Sequence, residues 1–153
     1  SQLLLTICRE DDRVLRWDGG TFLLVCNVNS VKEITSLCER IKARVLQHAF
    51  MISERKHADL TCSIGFSSWP LCLSSTEISD WQSAINIADE ALFLSKHYGR
   101  NCWFGFYMNE DCDLSQKRAL NRQSVKEAME QEVLSMASSL TISAQFIEQW
   151  PKR

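Results

Sequence analysis

Arg9-Glu10-Asp11-Asp12-Arg13-Val14-Leu15-Arg16-Trp17-Asp18-Gly19-Gly20-Thr21-Phe22 is the stretch on which the reading of this chain turns. It reads as a charged turn, a short strand, a tight glycine turn and the start of a second strand. Asp18-Gly19-Gly20 is the hairpin signal, because glycine supplies the positive φ angles that a two-residue turn needs. The following run, Phe22-Leu23-Leu24-Val25-Cys26, is continuously apolar and predicts a strand covered on both faces. A glycine turn beside such a strand also lets a ligand approach the backbone closely. Taken alone the motif is weak, since most glycine hairpins are only turns.

Working outward, Gln2 to Cys8 is too short to choose between the last turns of a helix and an apolar lead-in. Arg13 to Trp17 is the first strand, with Leu15 and Trp17 on one face, and Phe22 to Val28 is the second. Ser30 and Glu33 have capping-box spacing and predict a helix start. Ile34, Leu37, Cys38, Ile41 and Val45 then recur on one helical stripe, while Lys32, Glu39, Arg40, Lys42 and Arg44 form a solvated face. Polar residues from Ser53 to Asp59 lead to a strand in which Leu60, Cys62, Ile64 and Phe66 alternate with Thr61, Ser63 and Gly65. Ser67 to Ser79 reads as a loop, and Asp80 as an N-cap. The next helix has a small-residue face, Ala84, Ala88, Ala91, Leu92 and Ser95, suited to lying flat on a sheet. It ends at Gly99, with Lys96 and His97 in its last turn. Asn101 to Tyr107 is an aromatic-rich strand. Beyond Asn109 the pattern predicts a helix, capped by Asp113 and Gln116 and running to about Met136, with Val125, Met129, Val133 and Met136 on its stripe. Ser138 to Arg153 has weak patterning. No internal repeat is visible.

The order predicts an α+β architecture, helices packed on a largely antiparallel sheet. A chain of 153 residues suffices for one domain with a real core. A net charge of -2 argues against broad binding to nucleic acid or an anionic membrane, so an anionic ligand needs a local arginine cluster. No apolar run is long enough to cross a bilayer, and the first residues lack the basic start of a signal peptide. The 7 cysteines include no Cys-x-x-Cys pair, which points to buried thiols in a reducing cytoplasm rather than a zinc site. His48, His57 and His97 have no metal-ligand spacing. Trp17 and Trp103 read as core.

Arg9-x-x-Asp12 followed by Arg16-Trp17-Asp18-Gly19-Gly20-Thr21-Phe22-Leu23-Leu24-Val25 resembles the core of the GGDEF (diguanylate cyclase) domain family. Leu60-Thr61-Cys62-Ser63-Ile64-Gly65 resembles that family's "VTVSIG" strand. Ala88-Asp89-Glu90-Ala91-Leu92-Phe93, Lys96 and Gly99-Arg100-Asn101 resemble its "ADxALYxAKxxGRN" segment, the most specific of the three. The resemblance covers roughly Leu3 to Tyr107. It implies a ferredoxin-like palm of nucleotidyl cyclase type over residues 1–108, with a C-terminal helical extension over 109–153. The family's first strand and first helix have no counterpart upstream of Gln2, so the resemblance also implies a palm incomplete at its N-terminus.

Active family members join two GTP molecules into cyclic di-GMP on two divalent metals, Mg²⁺ or Mn²⁺, held by signature carboxylates. Here the five signature positions are Asp18, Gly19, Gly20, Thr21 and Phe22. Gly20 and Thr21 stand at the two acidic positions, and neither carries a charge. Asp18 puts a carboxylate where triphosphate would meet the backbone, and like charges repel. The resemblance therefore implies a catalytically inactive domain with no catalytic residue, no resident metal and no other cofactor. What it keeps is the family's inhibitory RxxD site, Arg9 and Asp12, with Arg40 as a further arginine for cyclic di-GMP. An arginine can pair with the O6 and N7 edge of guanine, and an aspartate can accept from its N1 and N2 hydrogens. The competing reading is an ordinary surface ion pair. Lys96 and Arg100 match the family's triphosphate contacts, although a helix C-terminus favours basic residues in any case. The expected partner is cyclic di-GMP, with GTP as the substrate if an active cyclase is the correct alternative. A nucleotide-free scaffold, joined to a second copy or another protein through the tail helix, is the other alternative.

Overall fold

The computed structural model describes residues 2–53, 56–69, 81–109, 124–143 and 145–152. They form two compact units, Ser1–Cys62 and Ser63–Arg153. The architecture is mixed α+β, with short sheets and packed helices.

In the first unit, helix α1 (Gln2–Ile7) settles the undecided lead-in as helical. Strands β1 (Arg13–Asp18) and β2 (Thr21–Val25) form the expected antiparallel hairpin, with Asp18 opposite Thr21. Gly19 takes φ +42 at the turn, the left-handed geometry that glycine supplies without strain. β2 is not covered on both faces as its apolar run suggested. Phe22 to Leu24 are only half-buried, and Val25 is 53% exposed. Trp17, expected in the core, is 53% exposed, and Leu15 beside it is also exposed. A sheet of two strands is too narrow to bury all of its side chains.

Helix α2 (Val31–Gln47) starts where the capping residues place it. Ser30 Oγ accepts the Glu33 N–H at 3.2 Å. The reciprocal half of the box is shifted by one residue, since Glu33 Oε2 accepts from Asn29 N–H at 2.9 Å. Leu37, Cys38, Ile41 and Val45 are buried along the predicted stripe. After α2 comes a second small hairpin, β3 (Phe50–Ser53) and β4 (Lys56–Ala58), whose first strand precedes the polar stretch and whose second lies within it.

In the second unit, strand β5 (Ile64–Ser67) runs parallel to β6 (Trp103–Met108), and β7 (Leu134–Ser138) lies antiparallel on the other side of β6. β5 is shorter than the alternation from Leu60 suggested. Its register begins at Ile64 opposite Trp103, where β6 itself begins. Helix α3 (Trp81–His97) supplies the crossover and buries Ala84, Ile87, Ala91, Leu94 and Ser95. Its small residues allow a close approach: a Cβ placed on Gly65 would stand 2.2 Å from the Ala88 carbonyl oxygen. Gly99 ends the helix at φ +107, and Arg100 N–H returns to Ser95 O at 3.0 Å. Ser95 Oγ donates to Cys102 O, which ties that end to β6.

The long tail helix to Met136 is corrected by the structure. Helix α4 spans only Val125–Glu130, capped by a full Ser124–Glu127 box. The backbone leaves the helix at Glu132, φ +56, and residues 134–138 are strand. Val133 and Leu134 are buried, and Met136 packs on the same core, so this stripe serves the unit's own interior. Within the weakly patterned segment beyond Ser138, Phe146 stacks on Phe104 and Trp150 on Phe106. The proposed caps Asp80, Asp113 and Gln116, most of the 67–79 loop, Cys72 and Cys112 lie outside the described residues.

Candidate functional site

The turn between α1 and β1 brings Arg9 and Asp12 together. Asp12 N–H donates to Arg9 O at 3.1 Å, and Asp12 Oδ2 accepts the Arg9 backbone N–H at 2.7 Å. These two bonds close the turn. Asp12 is thereby drawn inward and is only 9% exposed. Burial, and then the Asp12 charge, push the Cys26 thiol up to about 12. The carboxylate thus fixes the backbone that carries Arg9.

The Arg9 guanidinium reaches α2. It pairs with Glu33 Oε1 and donates to Asn27 O at 3.4 Å. Glu33 sits below the usual carboxylate range, first through the Asn29 N–H and then through Arg9. Arg9 is correspondingly raised, chiefly by its bond to Glu33. Arg40, one face of α2 further on, donates to Ile7 O at 3.2 Å, a carbonyl at the end of α1.

Two hollows result. One, lined by Arg9, Asp12, Cys26, Asn27, Glu33 and Arg40 among others, has a volume of about 10 Å³, room for little more than a water. The other is open and much larger, about 400 Å³, and is lined by Thr6, Ile7, Arg9, Arg40 and Arg44. It has three guanidinium groups and no carboxylate in its wall, which suits an anion. Arg9 borders both hollows. Arg44 was missed as a site residue. It stands four positions after Arg40, a spacing that puts two helical side chains on one face, and that signal was present in the sequence.

The signature hairpin is a plain turn. Arg16 Nε donates to Gly19 O at 3.0 Å, and Asp18 is exposed. The chemistry of a two-metal site is tested by the donor set available here. Asp18 brings one carboxylate, while Gly20 brings no side chain and Thr21 only a neutral hydroxyl. Among the described residues no group of three or more His, Cys, Asp or Glu is arranged to hold a metal ion. These residues do not fit a Mg²⁺ or Mn²⁺ pair, which wants several anionic oxygens. Lys96 and Arg100 are exposed at the end of α3, in the second unit, and carry no side-chain hydrogen bond or ion pair among the described residues. Cys8, Cys26, Cys38 and Cys62 are free thiols. No described helix is long and apolar enough to cross a membrane.

The family profile "Diguanylate cyclase, GGDEF domain" matches residues 1–102. Diguanylate cyclase DosC of Escherichia coli K12 is 33% identical over 104 residues, covering 66% of this chain and 21% of that protein. Diguanylate cyclase A of Treponema denticola is 31% identical over 101 residues, covering 66% of this chain and 26% of that protein. The chain thus spans between a fifth and about a quarter of these relatives' length. The mixed α+β architecture agrees with the palm-like fold of such cyclases, and the profile match over most of the chain shows that the protein belongs to the GGDEF domain family.

Proposed function

We propose that this chain is a catalytically inactive GGDEF domain that acts in cytoplasmic cyclic di-GMP signalling as a receptor. The observation that carries the reading is a contrast within the first unit. The hairpin lacks the two carboxylates that phosphoryl transfer on metals requires, while Arg9 and Arg40 border one open cationic hollow. In this reading Arg9 leaves Glu33 and pairs with the O6 and N7 edge of a guanine. Arg40 meets a phosphodiester. Asp12 acts as a positioning residue, holding the Arg9 backbone through its 2.7 Å bond.

A nucleotide-free scaffold is the second reading. It is favoured by the engagement of Arg9 with Glu33 and of Asp12 with backbone, both internal to the chain. Calorimetric titration of cyclic di-GMP against wild type and Arg9→Ala separates the two. The receptor reading expects binding by wild type and a loss of at least ten-fold in the variant, the worth of one charge-assisted pair. Absent binding selects the scaffold, and equal binding in both removes the receptor site built on Arg9. In parallel, incubation with GTP and Mg²⁺ or Mn²⁺ should yield no cyclic di-GMP, and turnover would return the chain to the active cyclases.

A further inference from the structure

We propose that Arg44 is a phosphate-binding residue of the same hollow, the side chain that receives a phosphodiester of the cyclic dinucleotide. The inference rests on the receptor reading above and adds a residue to it.

Three observations converge. The first is placement. Arg40 and Arg44 are four residues apart within the continuous helix α2, and both line the 400 Å³ hollow that Arg9 also borders. The second is availability. Arg9 is held by Glu33 and Asn27 O, and Arg40 gives one nitrogen to Ile7 O. Arg44 is exposed and has no hydrogen bond or ion pair among the described residues, so its full fork of donors is open. It is therefore the guanidinium that engages an anion with no internal contact to break.

The third is charge. The wall of this hollow contains three cations and no carboxylate. Like charges gathered on one surface repel, and an anion among them removes that repulsion. A guanidinium binds a phosphodiester through two parallel hydrogen bonds, a geometry an ammonium cannot reproduce. A cyclic dinucleotide carries two such groups and two bases in one small ring. Arg44 and Arg40 take a phosphodiester, and Arg9 the base beside it.

The test is calorimetric titration of cyclic di-GMP into wild type, Arg44→Ala, Arg44→Gln and Arg44→Lys, at low and at physiological ionic strength. The expected result is a loss of about ten-fold or more for Ala and Gln, and a smaller loss for Lys. The loss should shrink as salt rises, because the site is open to solvent. Far-UV circular dichroism of the Gln variant, which keeps the side-chain stem, should match wild type. Wild-type binding with all three variants within two-fold of it overturns the role of Arg44 and leaves the receptor reading standing. Absence of wild-type binding overturns both.

Discussion

Gly65→Ala is the most demanding test of the helix-on-strand packing in the second unit. A Cβ at this position would lie 2.2 Å from the Ala88 carbonyl oxygen, 2.2 Å from Leu92 N and 2.7 Å from Leu92 Cα. All three atoms are helix backbone, so no side chain can turn away. Recovering the 3.4 Å of ordinary contact requires strand and helix to separate by about 1.2 Å. Ala84, Ala91 and Leu94 then lose their close packing on the sheet. Overpacking of a core costs about 1–3 kcal/mol, and a backbone clash belongs at the top of that range, so we expect ~3 kcal/mol. Gly105→Ala makes a useful contrast. Its Cβ would lie 2.1 Å from the Phe66 ring, a side chain that can move. In a Phe66→Ala background the cost of Gly105→Ala should vanish, while that of Gly65→Ala should persist. Urea unfolding followed by far-UV circular dichroism reads each step. A loss below about 1 kcal/mol for Gly65→Ala would refute the close approach of β5 and α3.

Glu33→Ala frees Arg9 and removes a negative charge beside an anionic ligand, so affinity for cyclic di-GMP should rise by about two- to five-fold in a calorimetric titration at low salt. A fall would mean that Glu33 pre-organises Arg9 instead. Glu132→Gly relieves a left-handed backbone at φ +56 and should stabilise the fold by about 0.5–1 kcal/mol in thermal melts. Cys38 is 2% exposed, and burial pushes its thiol up to about 12. The unfolded chain releases that proton near pH 8.5, so stability is full below that pH and falls as pH rises toward 12. The slope is up to ~1.4 kcal/mol per pH unit, and Cys38→Ala should flatten the alkaline limb of a melting curve against pH.

What the sequence reveals follows the reach of each signal. Ser30, the α2 stripe, Gly99 and the Asp18-Gly19-Gly20 turn act locally, and the structure forms each where its residues indicate. Burial depends on what covers an element, and no local pattern carries that. The apolar run of β2 and the ring of Trp17 are therefore more exposed than their composition suggests. The tail shows a competition between periods. Val125, Met129, Val133 and Met136 fit a helical stripe, but the backbone turn at Glu132 divides them between α4 and β7. The Ser124–Glu127 box marks the start of α4. At the candidate site, RxxD spacing identified Arg9 and Asp12 as neighbours. It did not reveal that Asp12 turns inward to the Arg9 N–H, because that depends on the closed turn rather than on residue type.

The most direct measurement is the affinity of wild-type protein for cyclic di-GMP, taken once in EDTA and once in excess Mg²⁺. If arginines without carboxylate-bound metal make the site, the two titrations should give the same dissociation constant. Failure to bind, or binding that appears only with the metal, would contradict the account.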